Sequence, residues 1–481
     1  MVEIISLNFA LFTLIVLGIY YLFPRRIQNI WLLLSSYAFY LTFGKRFLLV
    51  LILTTAWNYF IALRIRSKNN PPNRFWLWLG IGSNLLAFAF FRLESSGYFQ
   101  GFFEYLFNIG RTNLLRFVLP IGFSFYILQA ISYLIDVYRK QTEASRDIIE
   151  FALYMAYFPK LLAGPIERAR SFLPKLSQNR LVDNTALSRA FSLLLIGLIR
   201  KVLIADILSQ VIPMDLFSSP ANYSGIELIG YMGIYAFWLY NDFAGYTGIV
   251  RGISAFFSIE LSANFQQPYF ARNFSDFWNR WHISLSHWLR DYIYYPISRW
   301  LRKRYPSNLM VNIVVPPMLT MLASGAWHNF GAYMLVWGGL HGIYQVGERL
   351  VQQVFPKWWA AGENTPWRRT ANTLSVFIFT VIAWTAFGSG SFRRTISYWQ
   401  SLWSNLFLNP SFTFAEFLLP ICLILGSLVI DYIQWHANDE LIFMKYPRPV
   451  QIVLLVGIMV AFFLNFTLGK TVVTAFIYQG F

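Results

Sequence analysis

Histidine is the side chain that changes charge nearest neutral pH, and the sequence contains five of them: His282, His287, His328, His341 and His436. Two of the five fall within residues 305–347, a stretch without Asp, Glu, Lys or Arg. An ionisable group in so apolar a stretch is costly, and its default interpretation is functional. Desolvation disfavours the imidazolium, so such a ring stays neutral and can accept a proton from a hydroxyl group.

The residues around His328 distinguish it from His341. Residues 324–331 read SGAWHNFG, and the flanking glycines let the backbone bend or approach a ligand closely. We therefore predict that His328 is a general base, a role that typically contributes about 10²–10⁴-fold to a rate. On one straight helix, His341 would lie about 20 Å from His328 along the axis. Only a break, which Gly338 and Gly339 permit, would bring the rings together, so His341 is predicted to have a supporting role.

A polar and aromatic segment at residues 263–304 precedes this apolar stretch. Apolar residues recur in it at the three- and four-residue spacing of one helical face: Phe274, Phe277, Trp278, Trp281, Leu285, Trp288 and Tyr292. Charged residues, among them Arg290 and Asp291, occupy other positions. The pattern predicts a helix that lies in the membrane interface or lines a wet cavity, with an ordinary amphipathic connector as the alternative. His282 would then reach the cavity wall.

The elements that carry these residues belong to a membrane protein. The chain is 57% hydrophobic and 13% charged, which excludes an ordinary soluble domain. Twelve segments are apolar and near the roughly 20 residues that span hydrocarbon, which predicts an all-α polytopic protein with about 10–12 spans. These segments are 4–23, 29–44, 47–63, 75–92, 113–135, 186–210, 224–241, 311–327, 330–347, 371–388, 414–430 and 450–468.

The basic balance of the chain follows from this topology. Its formal charge is +17, and the basic residues lie in short loops beside apolar segments. Anionic lipid and the positive-inside rule therefore explain the charge, and no nucleic-acid partner is expected. The basic run of Arg299, Arg302, Lys303 and Arg304 is predicted to be cytoplasmic. The single cysteine, Cys422, excludes an internal disulfide and is predicted to be a buried small hydrophobic residue.

Motifs of several other enzyme classes are absent from the sequence. We find no G-x-S-x-G elbow, Walker-type phosphate loop, H-E-x-x-H zinc pair or D-x-D metal pair, and no metal site is expected. Acidic residues near the apolar segments are isolated in sequence. Asp242, within NDFAGY, is the most notable of them. A carboxylate at the end of a span is more often a capping or interhelical partner than a catalytic group.

Five motifs in order resemble the membrane-bound O-acyltransferase family, in its bacterial alginate O-acetylase branch. They are LPIGFSFYILQAISYLIDVYR at 119–139, FPKLLAGPIER at 158–168, NDFAGYTGIVRGIS at 241–254, RNFSDFWNRWHISLSHWLRDYIYYPI at 272–297 and GAWHNFGAYMLVWGGLHG at 325–342. The resemblance is dense between residues 119 and 342. It implies one membrane-embedded domain over 1–481, with a catalytic core at 119–342, and a ring of spans around a central funnel and channel.

The resemblance also assigns roles to residues. It implies that His328 is catalytic and that His282 is a second catalytic histidine. Substrate-binding or supporting roles are expected for Trp281, Ser284, Arg290, Asp291, Asp242, Trp327, Asn329 and His341. Asn329 stands where the family commonly has glycine, so the local backbone or acceptor pocket is expected to differ.

The function implied is acetyl transfer to hydroxyls of an extracellular or cell-wall polysaccharide in a bacterial inner membrane. No bound cofactor is expected, and the donor would be acetyl-CoA or another activated acetyl carrier. A histidine-bound acyl intermediate is a second mechanism. Membrane lipids, the polysaccharide and periplasmic or extracytoplasmic acetylation proteins are the expected partners. One alternative is D-alanyl transfer to teichoic acid. The other is polysaccharide export, which predicts inverted repeats and paired intramembrane charges that the sequence does not display.

Overall fold

Apolar runs of the sequence become helices because a helix satisfies its own backbone polar groups where water is absent. The computed structural model describes residues 4–66, 71–95, 119–181, 183–359, 365–411, 414–453, 456–457 and 460. These residues fall into two compact units. The first contains the described residues of 1–194 and 250–262, and the second contains those of 195–249 and 263–477. The prediction of a single domain over 1–481 stays a prediction.

The first unit is built from nine helices among the described residues, the last of which ends in the second unit. They are α1 (Leu7–Tyr20), α2 (Arg25–Leu41), α3 (Lys45–Ile65), α4 (Arg74–Ser95), α5 (Phe123–Tyr138), α6 (Ile148–Ala156), α7 (Phe158–Leu161), α8 (Ala169–Ser177) and α9 (Asn184–Leu198). Polar residues begin some of them. The hydroxyl of Ser6 accepts a hydrogen bond from the N–H of Phe9, and a carboxylate oxygen of Asp147 accepts from Ile149.

The FPKLLAGPIER motif folds around a buried lysine of the first unit. The Lys160 ammonium donates to the side-chain oxygen of Gln129 at 2.6 Å and to the carbonyl of Tyr154 at 2.7 Å. It also lies 5.3 Å from the ring centroids of Tyr154 and Phe172. Burial lowers the pKa of Lys160 to about 7, and the charge of Glu167 opposes that shift. The lysine therefore joins α5, α6 and α8.

The second unit carries the remaining elements. They are a π-helical turn (Ile199–Ala205), α10 (Asp206–Val211), α11 (Gly225–Phe256, which ends in the first unit), α12 (Phe274–Arg280), α13 (Ile283–Leu289), a π-helical turn (Arg290–Tyr294), α14 (Tyr295–Arg304), α15 (Leu309–His328), α16 (Ala332–Val354), α17 (Pro366–Ser389), α18 (Phe392–Ser404) and α19 (Phe414–Ala437). Short 3-10 turns lie at Pro220–Asn222, Pro268–Phe270 and Ile442–Lys445. An antiparallel bridge joins Phe265 to Trp281.

The all-α prediction is confirmed, and the chain is a membrane protein. Five helices of the described chain are long and apolar enough to cross a bilayer: Lys45–Ile65, Arg74–Leu93, Leu309–His328, Pro366–Ser389 and Glu416–Ala437. Helices Leu7–Tyr20 and Phe123–Tyr138 are apolar but shorter. Most of the predicted segment 450–468, and residues 113–118 of another, lie outside the described residues. Cys422 is exposed on α19, so its predicted burial is wrong.

Helices α15 and α16 form a closely packed hairpin. A Cβ atom added to Gly325 of α15 would collide with the carbonyl oxygen of Met334 on α16. One added to Gly338 of α16 would collide with the carbonyl oxygen of Met321 on α15. The two backbones can approach this closely only because glycine carries no side chain. This close packing fixes the alignment of the two helices that carry His328 and His341.

Candidate active site

His328 is the last residue of α15, and the chain turns immediately after it. The N–H of Asn329 still donates to the carbonyl of Gly325, but its own backbone is extended, with φ −163°. The side-chain oxygen of Asn329 then accepts a hydrogen bond from the N–H of Gly331 at 2.8 Å. The break therefore lies at residues 329–331, and the break considered at Gly338 and Gly339 is wrong because both glycines are inside α16. Asn329 holds the turn closed.

The return of the chain places His328 and His341 beside the same indole. The ring of Trp337 lies 5.3 Å from that of His328 and 5.1 Å from that of His341, between ring centroids. Both histidines are buried. Neither ring nitrogen of His341 has a hydrogen-bond partner among the described residues. The 20 Å separation of a straight helix does not apply, and His341 lies close enough to support the same site.

His282 occupies a strained position between α12 and α13. Its backbone is left-handed, with φ 42° and ψ 53°. For a residue with a side chain this conformation costs roughly 1–2 kcal/mol and persists only where neighbours enforce it. The N–H of Ile283 donates to the backbone carbonyl of Asn264 at 2.9 Å, and the N–H of Ser284 donates to the side-chain oxygen of Asn264 at 3.2 Å. The carbonyl of His282 accepts from Ser286 at 2.9 Å.

The predicted continuous helix through this segment is therefore wrong. Trp281 leaves α12 in extended conformation because it bridges Phe265, and the left-handed His282 restarts the chain as α13. The apolar spacing still identified a buried face, since Phe277, Trp278 and Trp281 are all buried. Strain at a non-glycine residue is concentrated at functional sites, and it occurs here at a histidine that the sequence had selected.

Aromatic rings join the three histidines into one site. The ring centroid of His282 is 4.8 Å from that of Phe243 and 6.1 Å from that of Trp327, whose ring is 4.7 Å from that of His328. We call the rings that contact the three histidines the aromatic cage: Phe243, Phe277, Trp278, Trp327, Trp337, Tyr344, Trp384 and Phe387. The sequence pointed to His282 and His328 separately, and the fold brings them together.

The electrostatics of the aromatic cage favour neutral imidazoles. His282 is 1% exposed, and burial lowers its pKa to about 3. A ring with that pKa is uncharged throughout the physiological range. It can accept or donate one hydrogen bond at each nitrogen, depending on its tautomer. The cage can therefore provide a neutral ring nitrogen that accepts a hydrogen bond from a bound hydroxyl group rather than from water.

The other predicted site residues occupy supporting positions. Trp281 stacks on Phe277 at 5.7 Å and contacts Trp384 at 4.9 Å, so it lies behind the cage. Ser284 is buried at the start of α13. Arg290 and Asp291 form a partly exposed ion pair, with 3.3 Å between Nε and a carboxylate oxygen, and Arg290 lines a cavity.

Asp242 makes the interhelical contact that is common for a carboxylate at a span end. It lies 2.8 Å from the Lys201 ammonium, which also contacts Asp206. Its neighbour Phe243 is the cage ring that contacts His282. The ion pair therefore fixes the part of α11 from which Phe243 projects.

The sequence did not lead us to two further buried charged residues, Arg200 and Asp431. Arg200 forms a buried ion pair with Asp431 and donates to the side-chain oxygen of Asn241 at 3.1 Å. The expectation that paired intramembrane charges are absent is therefore wrong. Arg200 and Lys201 stand together in the predicted apolar segment 186–210, and that was the available signal. Asp431, the partner of Arg200, is far along the chain, so that pairing was not visible in the sequence.

Known proteins resemble this chain over most of its length. A profile of the membrane-bound O-acyltransferase family matches residues 139–391. The probable alginate O-acetylase of Pseudomonas putida is 34% identical over 387 residues, which cover 78% of this chain and 75% of that protein. The peptidoglycan O-acetyltransferase of Helicobacter pylori is 32% identical over 354 residues, covering 67% of this chain and 64% of that protein.

A more distant relative has a different acyl group in its name. The teichoic acid D-alanyltransferase of Bacillus subtilis is 26% identical over 272 residues, which cover 55% of this chain and 66% of that protein. The profile match covers more than half of the chain, and it includes the aromatic cage and all three of its histidines. The chain belongs to the membrane-bound O-acyltransferase family, and it is an acyltransferase.

Proposed function

We propose that this enzyme transfers an acetyl group to a hydroxyl of an extracellular or cell-wall polysaccharide, with His328 as the general base. The observation that carries the proposal is the position of His328. It is a buried histidine at the break of the α15–α16 hairpin, in a chain about one third identical to two named O-acetylating enzymes. A neutral, desolvated imidazole beside a turn is suited to remove a proton from a hydroxyl group.

In the proposed reaction a ring nitrogen of His328 accepts the hydroxyl proton while the hydroxyl oxygen attacks the acyl carbonyl carbon. The new C–O bond forms, and the carbonyl electrons move to its oxygen. When the oxyanion collapses, the bond to the carrier sulfur breaks, and the His328 imidazolium returns the proton to the leaving thiolate. His282, held neutral by burial, donates a hydrogen bond to the carbonyl oxygen as negative charge develops there. His341 keeps Trp337 in place behind His328.

The donor and acceptor approach from opposite sides in this proposal. Acetyl-CoA is the proposed donor and remains in the cytoplasm, whereas the polymer is outside or in transit. The basic end of α14 faces the cytoplasm by the positive-inside rule. We therefore propose a multi-pass protein of a bacterial inner membrane, in contact with anionic lipids and with extracytoplasmic proteins that complete acetylation.

Ester analysis of the cell's polysaccharides tests the reaction. Cells with the intact protein should carry polymer-bound acetyl ester that is absent when the gene is deleted and returns on complementation. In oriented vesicles, a membrane-impermeant acetyl donor should support transfer only from the cytoplasmic face. Unchanged ester content after deletion would refute polysaccharide acetylation. Transfer with donor confined to the outer face would refute the proposed sidedness alone.

D-alanyl transfer is a second candidate, and the resemblance to the teichoic acid D-alanyltransferase supports it. The same base chemistry would serve, since only the acyl group and its carrier differ. Alkaline hydrolysis separates the two candidates, because it releases acetate in one case and D-alanine in the other. Release of D-alanine alone would replace acetyl transfer with this alternative.

A further inference from the structure

A row of buried polar groups runs through the aromatic cage. We call it the polar row, and it consists of Ser324 on α15, Trp337 and His341 on α16, and Thr380 and Trp384 on α17. Each of these residues is at most 1% exposed. Their hydroxyl oxygens, indole nitrogens and imidazole nitrogens have no hydrogen-bond partner among the described residues. Buried polar groups are nearly always hydrogen-bonded, so each of the five requires an explanation.

Three members of the polar row contact one another. The ring centroids of Trp337 and His341 are 5.1 Å apart, and Trp384 lies 6.0 Å from Trp337 and 6.2 Å from His341. The three rings are neighbours, but none of their ring nitrogens bonds to another. Where polar groups are neighbours and yet too far apart to bond, a water molecule commonly bridges them.

Thr380 extends the polar row along α17. It lies one turn before Trp384 on the same face of that helix. Trp384 contacts His341, and Phe379, the residue before Thr380, contacts Tyr344 at 5.1 Å. Thr380 is thus placed against the turn of α16 that begins at His341.

Ser324 begins the polar row near the proposed base. It lies one turn before His328 on the same face of α15. Gly325, the next residue, lies against the backbone of α16. The polar row therefore runs from the turn before His328 across the hairpin to His341 and Thr380.

The two hydroxyl groups of the polar row differ from other helical hydroxyl groups of this chain. A helical Ser or Thr often donates to the carbonyl one turn before it. Thr320 does so on α15 at 2.6 Å, and Thr55 does so on α3 at 2.7 Å. Ser324 and Thr380 make no such bond within the described chain. Their hydroxyl groups therefore remain available to a bound molecule.

Water is the ligand whose chemistry fits the polar row. An indole N–H only donates, whereas hydroxyl groups and a neutral imidazole both donate and accept. Water does both as well, and a buried water typically makes about three hydrogen bonds. The near-complete burial of all five residues favours a small ligand, and none of the five is acidic, which disfavours a cation.

The proposed base gains a charge that such water would stabilise. His328 becomes an imidazolium when it takes the hydroxyl proton. Residues 305–347, which include His328 and His341, contain no Asp or Glu. Apolar surroundings disfavour the imidazolium, so a hydrogen-bond acceptor near the ring would favour the reaction. His341 is such an acceptor, and it lies beside the same indole as His328.

We propose that ordered water in the polar row connects His328 with His341, so that the two imidazoles share the proton taken from the acceptor hydroxyl. A ring nitrogen of His341 accepts a hydrogen bond from the water next to the His328 imidazolium. When the oxyanion collapses, the proton returns through His328 to the leaving thiolate, so no proton is gained or lost. His341 acts through water and is a positioning residue. The inference rests on the proposed function and adds His341 to its proton transfer.

Kinetics of His341→Phe in the purified full-length protein test the shared proton. Phenylalanine keeps a ring that can stack on Phe277, as His341 does at 6.0 Å, but it has no nitrogen. We expect kcat to fall about 30-fold, which corresponds to one hydrogen bond to a charged group, with unchanged KM for both substrates. In mixtures of light and heavy water, the wild-type rate should follow a curve because several protons move together, whereas the variant rate should follow a straight line. A wild-type kcat, or the same curve in both proteins, would refute the proposal.

Thr380→Val tests the water itself, because valine has the shape of threonine without the hydroxyl. If the hydroxyl had no ligand, its removal would raise the Tm, since an unmade buried hydrogen bond would be eliminated. We expect the reverse, a lower Tm, and a kcat lower by about threefold. Thr55→Val is the matched control, because the Thr55 hydroxyl bonds to its own helix in the first unit. It should lower the Tm and leave kcat unchanged. A higher Tm with wild-type kcat in Thr380→Val would exclude the water.

The double variant separates this inference from the proposed function. Thr380→Val should lower kcat by less in the His341→Phe background than in the wild type, because both residues hold the same water. Independent effects of the two substitutions would contradict a shared water. Full transfer by His328→Ala would refute the proposed function. Loss of transfer in His328→Ala, together with wild-type kinetics of His341→Phe, would refute only the role of the polar row.

Discussion

Two buried regions of the second unit accommodate ionisable side chains in opposite ways. In the aromatic cage, three histidines lie buried among rings, and burial lowers the pKa of His282. In what we call the ion-pair cluster, Arg200 pairs with Asp431, and Lys201 pairs with both Asp206 and Asp242. Two rings connect the regions. Phe243 of the cage directly follows Asp242 of the cluster in the chain. The hydroxyl of Tyr240 donates to Asp431 at 2.9 Å, and the ring of Tyr240 contacts Trp281, which lies behind the cage.

The difference separates structural from chemical use of buried polar groups. A charge without a counter-charge in the interior costs several kcal/mol, so each cation of the cluster is stable there only beside its carboxylate partners. A neutral imidazole costs far less to bury and keeps its capacity to accept a proton. We therefore expect substitutions in the cage to affect activity, and substitutions in the cluster to affect folding.

The largest effect is expected for His328→Ala. Transfer should fall by about 10²–10⁴-fold, because the variant lacks the base while the hairpin packing of Gly325 and Gly338 is unchanged. Polymer-bound ester and the amount of protein in membranes should be measured together. Near-normal ester formation by a normally abundant variant would contradict the role of His328.

Arg200→Met is expected to reduce the stability of the protein rather than to remove a reacting group. It leaves Asp431 buried without its ion-pair partner, so the free energy of unfolding should fall by about 3–5 kcal/mol. Protein abundance in membranes and Tm in detergent provide the readout. The double variant Arg200→Met/Asp431→Leu should recover most of the loss, because a buried pair can often be replaced by apolar residues. If the single variant is as stable as the wild type, the cluster is not a structural element.

Particular residues explain what the sequence could predict. The twelve apolar segments and the choice of His328 were predicted from local composition. Local composition reflects burial in a membrane directly. The break at Trp281 and His282 could not be predicted, because a bridge to Phe265 and hydrogen bonds to Asn264 override the helical spacing. The partnership of Arg200 with Asp431 depends on the fold in the same way. Long-range contacts leave no trace in the spacing of one segment.

A smaller effect is expected from pH, and it follows from the burial of His282. Its pKa is about 3 in the folded protein and about 6.5 when exposed, so the unfolded chain binds more protons between these values. Its contribution to stability is complete above pH 6.5 and is lost as pH falls, by roughly 2 kcal/mol at pH 5. The Tm in detergent should therefore fall between pH 7.5 and pH 5, and the fall should be shallower in His282→Asn. Identical slopes would contradict burial of a neutral His282.

The smallest activity loss within the cage is expected at His282, because it supports the reaction and does not remove the proton. His282→Ala should lower transfer about tenfold, which corresponds to the lower end of the roughly 1.5–3 kcal/mol contributed by a hydrogen bond to a charged group. His436 is exposed at the end of α19, stacked on Tyr432, and His436→Ala should leave transfer unchanged.

Alanine at 282 also disturbs the left-handed backbone, so a second substitution is needed. Asparagine tolerates φ 42° better than alanine and lacks the imidazole. If His282→Asn loses as much ester formation as His282→Ala at equal protein abundance, the imidazole itself is required. Recovery of activity in His282→Asn would mean that residue 282 serves only to shape the turn between α12 and α13.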